Sequence, residues 1–483
     1  MEPIILIPII LPFLLGIAGT KILFKGEKIK TFYVISAVTI NLLALIGILN
    51  IEGAKAFHLL KINPFLDIYF KIDKLGILFA LLASILWIFT TFYSLAYMKH
   101  EGKEERFFVF FILTLGITLG IAFSGNLFTL YIFYELLTLA TFPLVIHAGT
   151  KEALYSGRKY LIYSLGGATV ALLGMILLFS ISNSLNFVEG GVLGTVNIDN
   201  PKLLLTIYMV MFLGFGVKAA IVPFHSWLPA AMVAPTPVSS LLHAVAVVKS
   251  GIFVLVRVCY FVFGAETIRQ IHGNIYTSVL VFITILLGSL LALHQENLKK
   301  RLAYSTISQL GYIVLGIILL NENALIGGLL HLVNHAVIKI TLFFCVGAIY
   351  FMTHKKNINE IKGIGKQMPV TMTCFSIASI SLIGIPPTNG FVSKWYLALG
   401  GLTENKIIFP IILLLSAFLT AAYLLPIVVT AFFHGEEKKD IKKLDPPIKM
   451  LVPIILLTGI TIFLGLFPNV LLHYIKSIVE NLV

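Results

Sequence analysis

Six ionisable side chains stand where lipid-facing sequence would not tolerate them: Glu135, Lys218, Lys249, Arg257, Lys339 and Lys394 each lie inside a long apolar run. A charged group at the centre of a bilayer costs about 2.5–3.5 kcal/mol on insertion scales, so such residues need partners, water or a function. His225, His243, His331 and His335 accompany them, and imidazole is the side chain that most readily exchanges a proton near neutral pH. Carboxylate, ammonium and imidazole groups at membrane depth are the parts of a proton relay. If all were to avoid lipid, they would have to face one another across a protein interior.

The run LGFGVKAAIVPFHSWLPAAMVAPTPVSSLLHAVAVVK, from Leu213 to Lys249, holds two of the lysines on either side of Pro223, Pro229, Pro235 and Pro237. A helix break at membrane depth is tolerated where freed carbonyls line a polar cavity, as in transporter binding sites. Glu135 sits in NLFTLYIFYELLTLATFPLV. It reads either as a neutral carboxyl bonded to Tyr131 or Thr138, or as a carboxylate whose protonation follows a cation from another helix. Lys218, just before the proline-broken stretch, is the expected cation. Such a pair can switch.

In GGLLHLVNHAVIKITLFFCVGA, His331, His335 and Lys339 fall at i, i+4 and i+8 and share one helix face. A metal or haem site would need ligands from other helices, and no second span carries paired histidines. The stripe is therefore expected to be a polar lane leading to Lys339. In SIASISLIGIPPTNGFVSKW, Pro386 and Pro387 followed by Asn389-Gly390 should end one half-helix and begin another, which carries Lys394. The plainer alternative for Lys394 is a lysine snorkelling to the interface beside Trp395.

The elements that must position these groups are membrane helices. With 58% hydrophobic and 12% charged residues and a mean hydropathy of +0.99, the composition is that of a polytopic membrane protein. Apolar runs of about 17–25 residues predict an all-α fold; the short alternating strands of a β-barrel are not seen. Cys259, Cys345 and Cys374 are far apart with no CxxC, which argues against a disulfide framework or an iron–sulfur cluster. Fourteen spans are predicted, near 3–20, 31–51, 75–98, 107–123, 127–147, 158–182, 203–222, 237–262, 274–293, 302–320, 324–352, 370–386, 391–432 and 450–475, with 391–402 serving as the second half of a discontinuous twelfth. Asn126-Leu127 opens the fifth and Asn297-Leu298 the tenth. With interrupted segments in the seventh and twelfth, this points to an inverted repeat within a single integral membrane domain.

A net charge of +13 would suggest a nucleic-acid partner in a soluble protein, but here the charge is sorted between loops. Loops after odd-numbered spans hold 22 Lys and Arg residues against 7 after even-numbered ones. The positive-inside rule then puts the odd-numbered loops, with Lys438 and Lys439, in the cytoplasm, and the 183–201 loop and both termini outside. The first span has no basic residue ahead of it and is expected to be retained, not cleaved as a signal. The chain is thus expected in the cell membrane, in contact with the lipid bilayer and not with nucleic acid.

These residues resemble the antiporter-like subunits shared by Mrp cation/proton antiporters, respiratory complex I and membrane-bound hydrogenase-type complexes. The resemblance covers nearly the whole chain and is carried by YELL around Glu135, VKAAIVPFHSWLPAAMVAPTPVSSLLHAVAVVKSGIFVLVR from Val217 to Arg257, NHAVIKITLFFCVGA from Asn334 and GIPPTNGFVSKW from Gly384. Within the family it is most similar to the large D-like Mrp subunit. It departs at Ala230, where many relatives have an acid after WLP, and it is expected to lack a long lateral helix.

The resemblance implies two inverted five-helix repeats, spanning 107–262 and 274–432, with flanking helices in 1–98 and 450–483. It implies that Glu135 and Lys218 form the first half-channel's pair, Lys249 the link, His331, His335 and Lys339 the central axis, and Lys394 the exit station. It further implies other membrane subunits of a Mrp-, hydrogenase- or complex I-like assembly as partners. No cofactor is expected, since no GxxxxGK[ST], GxGxxG or CxxC occurs. The competing reading is a redox membrane subunit that binds quinone or haem.

Overall fold

A computed structural model describes residues 2–51, 56–63, 66–195, 200–403, 406–433 and 443–483; Lys438 and Lys439 lie outside these. Two helices, α1 (Ile7–Ile22) and α2 (Glu27–Leu49), lead into a hairpin of β1 (Ala56–Lys61) and β2 (Asp67–Lys71). The first continuous block follows: α3 (Lys74–Glu101), α4 (Glu104–Ala122), α5 (Leu127–Val145) and α6 (Lys151–Ser182). The interrupted stretch contains α7 (Pro201–Gly216), the single turn α8 (Trp227–Ala230), α9 (Thr236–Ala244), α10 (Val247–Val256) and the short α11 (Ala265–Gln270). Then come α12 (Gly273–Leu293), α13 (Leu298–Ile318), α14 (Glu322–Thr353), the turn α15 (Ile364–Gln367), α16 (Pro369–Ile383), α17 (Asn389–Thr403), α18 (Ile408–Phe433), α19 (Ile448–Leu466) and α20 (Asn469–Val479).

The fold is all-α and polytopic. Among the described residues, 12 helical segments are long and apolar enough to cross a membrane, and two shorter apolar helices, α7 and α16, fall in the segments expected to be discontinuous. Their brevity has a local cause. Helix α7 gives way to turns between Val217 and Ser226 around Pro223, and α16 ends at Ile383 ahead of Pro386 and Pro387. Proline removes a backbone donor and disfavours helix in the residue before it.

Helix starts follow side-chain caps. Asp73, Asn126, Thr150, Asn200, Asn297 and Asn321 each accept a hydrogen bond from the amide three residues on, at the heads of α3, α5, α6, α7, α13 and α14. At 32 residues, α14 is about 48 Å long, well beyond a hydrocarbon core of about 30 Å. Every residue from Ala324 to Ile349 is buried, its polar stripe included, which makes α14 the central post. Helices α9, α13, α16, α17, α19 and α20 pack around it.

An internal echo is visible in these details. Helices α6 and α14 are both 32 residues long, with caps Thr150 and Asn321 and left-handed C-caps Asn183 and His354. Asn126 bridges to Asn186, and Asn297 to Asn357, as isolated antiparallel contacts. All four pairs of positions keep the same separation in sequence.

Three expectations are corrected. The 52–74 loop carries the β1/β2 hairpin, held to the head of α5 by Asn126, whose Nδ2 donates to the Asp67 carbonyl at 3.0 Å and to its carboxylate at 2.7 Å. The span at 450–475 ends at Leu466, because Pro468 stops it, and the remainder becomes the amphipathic α20, which buries Leu472, Ile475 and Ile478. The span at 237–262 is interrupted between α9 and α10 at Val245, and runs on as a π-helical turn from Arg257 to Phe263. All three cysteines are buried and free.

Candidate functional site

The interrupted helices bring their lysines to carbonyls and rings. Lys218 follows directly on the end of α7 and is fully buried. Its Nζ donates to the carbonyl of Tyr134 on α5 and lies 3.4 Å from the centre of that ring. Two residues on, Ala220 has φ 55, a left-handed conformation that costs a non-glycine residue energy and marks the break as locally strained. Glu135, next to Tyr134, is within Coulombic range of Lys218, but the two make no contact ion pair. Its Oε1 is buried without a hydrogen-bond partner. The expected pair is thus separated, with the backbone and ring of Tyr134 taking the ammonium.

Lys249 on α10 reaches α14, where its Nζ lies 2.8 Å from Nδ1 of His335. Both groups are fully buried, and Nε2 of His335 has no partner. One turn along α14, the His331 ring stacks 5.8 Å from that of His335. Its Nδ1 is 2.9 Å from Ser393 Oγ on α17 and its Nε2 3.0 Å from Gln309 Oε1 on α13, so His331 ties three helices together. His243 on α9 is fully buried with neither ring nitrogen hydrogen-bonded, its ring 4.9 Å from that of Phe343. An unpaired buried imidazole is costly, and this one stands two residues before the Val245 interruption.

Lys339 shares the α14 face but turns to α13, donating to the Leu302 carbonyl at 3.0 Å and to Ser305 Oγ. Lys394 does not snorkel. Its Nζ donates to the Leu382 and Ile383 carbonyls at 2.7 and 2.8 Å, the orphan acceptors at the end of α16, and lies 5.1 Å from the Tyr312 ring centre. Gly384 makes this possible: it has φ +90, and a Cβ there would sit 2.8 Å from Lys394 Cδ. Below the break, Asn389 accepts from Ser381 Oγ at 2.5 Å, while Asn334 Nδ2 donates to the Asn389 carbonyl at 2.8 Å.

Of the five cations placed at membrane depth, Arg257 alone contacts a carboxylate among the described residues. It forms a bidentate pair with Asp73 at 2.5 and 2.9 Å, ringed by Phe187, Phe253 and Phe261. The charges therefore do not neutralise one another across the interior as expected. His225 is half-buried at the α7 break and joins none of the other groups, while Pro223, Pro386 and Pro387 are exposed at the breaks. A polar cavity of about 710 Å³ opens near Ala230, lined also by Tyr97, Glu101, Lys299 and Lys356; Lys299 donates to the Ala234 carbonyl at 2.6 Å, just ahead of α9.

Residues 124–420 match the family described as NADH:quinone oxidoreductase/Mrp antiporter, TM, and residues 62–108 match the NADH-Ubiquinone oxidoreductase (complex I), chain 5 N-terminus. The chain belongs to the NADH:quinone oxidoreductase/Mrp antiporter family. It is 34% identical over 412 residues to NADH-quinone oxidoreductase subunit N of Desulforudis audaxviator, covering 80% of this chain and 81% of that one. It is 32% identical to the A subunit of the Na(+)/H(+) antiporter of Alkalihalophilus pseudofirmus over 96% of its own length, which spans 61% of that longer protein. Neither of these relatives is named as a D subunit. Its fold matches a chain of an archaeal membrane-bound sulfane sulfur reductase (TM-score 0.88, 22% identity, 99% of this chain and 97% of that one). It likewise matches a chain of the Mrp complex from Dietzia sp. (TM-score 0.85, 20% identity, 100% and 97%).

Within this antiporter-family fold, several groups that complete the arrangement were not singled out from the sequence: Tyr134, Gln309, Tyr312, Ser305 and Ser393, with Asp73 as the partner of Arg257. One signal was available. Helix α13 is less apolar than the other membrane-length helices and yet is almost wholly buried. A polar helix that is nonetheless interior must direct its polar groups at something inside.

Proposed function

We propose that this chain is the proton-translocating, antiporter-like subunit of a multisubunit membrane complex, moving protons, or protons against another cation, through buried Glu, Lys and His stations. The observation that carries this reading is the Lys249–His335 contact at 2.8 Å. Two proton-exchanging groups within hydrogen-bond distance, fully buried and without a carboxylate, cannot both hold a proton cheaply, so one proton is shared and can be handed over. On this reading the polar cavity near Ala230 is a mouth, Lys218 with Glu135 loads the first half, and His243, Lys249, His335 and His331 pass the proton along. Lys339 and Lys394 complete the route at the second break.

The constant separation of caps and bridges supports two repeats, and the odd number of five spans in each supports their opposite orientation. The relatives' names support membrane partners of the Mrp, complex I or sulfur-reductase kind, and the loop charges support a cell-membrane location with both termini outside. In reconstituted vesicles with a pH-sensitive dye, Lys249→Met, His335→Gln and Glu135→Gln are each expected to lower proton movement by about tenfold or more while the complex still assembles. Glu135→Asp should keep part of it. Parental rates in Lys249→Met and His335→Gln together would overturn the reading.

A further inference from the structure

We infer that Tyr134 and Tyr312 are the π partners that hold the loaded, ammonium form of Lys218 and Lys394, and so set how readily these two stations release a proton. The inference rests on the transport reading above. At both breaks an ammonium arrives with no carboxylate in contact. What it meets is the same pair of features: backbone carbonyl oxygens and the face of a tyrosine, at 3.4 Å for Lys218 over Tyr134 and 5.1 Å for Lys394 over Tyr312. The ring quadrupole attracts a cation within about 6 Å, more strongly where water is excluded, and gives a neutral amine little. A ring face therefore distinguishes the loaded from the empty lysine without adding a fixed charge.

Each ring is carried on a helix other than the one bearing or leading into its lysine. The Tyr134 hydroxyl on α5 donates to the Phe215 carbonyl near the end of α7 at 3.0 Å, and the Tyr312 hydroxyl on α13 to the Leu413 carbonyl on α18 at 3.0 Å. Both rings are fully buried. With its proton committed to a carbonyl, neither hydroxyl is placed as a relay group, which leaves the ring face as the functional surface. Tyr312 also stands 5.5 Å from the His331 ring, so it neighbours both His331 and Lys394. The middle lysines lack this arrangement: Lys249 faces an imidazole, and Lys339 a serine and a carbonyl. The rings mark only the stations at helix breaks.

The test replaces each tyrosine, in the assembled complex in vesicles, by phenylalanine and by mono-, di- and trifluorinated phenylalanine, which progressively weaken the ring's negative face at nearly constant shape. Transport should survive in Tyr312→Phe and fall stepwise with fluorination, by about tenfold at the trifluoro analogue, with the pH profile displaced in step; position 134 should behave alike. A rate and pH profile that stay flat along the series would reduce the rings to packing and overturn the inference. So would Tyr→Phe variants as inactive as Tyr→Leu, since the hydroxyl anchor would then be what matters. Lys218→Met and Lys394→Met, run alongside, separate the two levels: their loss of transport with a flat fluorine series sinks only the ring role, whereas parental rates in both would sink the transport reading itself.

Discussion

Lys339 meets two acceptors that suit an ammonium. Its Nζ fits between the Leu302 carbonyl and Ser305 Oγ in a fully buried site with no carboxylate, and nothing there matches the planar fork of a guanidinium. On the proposed reading the group must also lose its proton at working pH, which arginine does not do. Lys339→Arg should therefore lower proton movement by about tenfold or more, as badly as Lys339→Met, with the complex still assembling as judged on native gels. A fully active arginine variant would leave only a requirement for positive charge. The ionisable residues at this scale were legible because a lysine or histidine in apolar sequence is conspicuous. Their partners were not. Tyr134, Ser305 and Tyr312 are unremarkable in a membrane helix until α5, α13 and α17 are brought together, and Glu135 looked like the natural neighbour of Lys218 because carboxylates attract the eye where a carbonyl and a ring hold the charge.

At the scale of elements, Asp73 and Arg257 join the head of α3 to the π-helical turn after α10. Asp73 also caps α3, its Oδ1 accepting from the Gly76 amide at 2.7 Å. Removing one partner of a buried pair typically costs about 3–5 kcal/mol, because the other charge is left buried and alone. Asp73→Ala should therefore lower the thermal unfolding midpoint of the detergent-solubilised protein. The double variant Asp73→Ala/Arg257→Met should recover much of the loss, and proton movement per assembled complex should stay near parental. Abolished transport in that double variant would instead place Arg257 in the relay. Proline announced the breaks after α7 and α16, so these could be read in advance. The interruption at Val245 has neither proline nor glycine at its site and follows from packing alone, and the β1/β2 hairpin is too short and too mixed in character for a periodic signal.

For the whole molecule, the proposed orientation rests on the sorting of loop charge. Single cysteines placed in the 183–190 segment should label from outside, and those at Lys299 or Lys356 from the cytoplasm, after Cys259, Cys345 and Cys374 are replaced by alanine. Reversed labelling would invert the topology. The all-α polytopic character and the two proline interruptions were legible because hydropathy and proline act locally, whereas the echo between α6 and α14 shows itself mainly in caps and bridges. A last consequence concerns voltage. On the proposed reading, Lys249, Lys339 and Lys394 rest on imidazole, serine, carbonyls and a ring with no carboxylate in contact, so each gains a charge without a contact counter-ion when loaded. Moving one charge through the field is worth about 2.3 kcal/mol per 100 mV. Occupancy of this lane should accordingly follow the membrane potential as well as the pH difference, and clamping the potential to zero with potassium and valinomycin should change the rate of proton movement even when the pH difference is held constant.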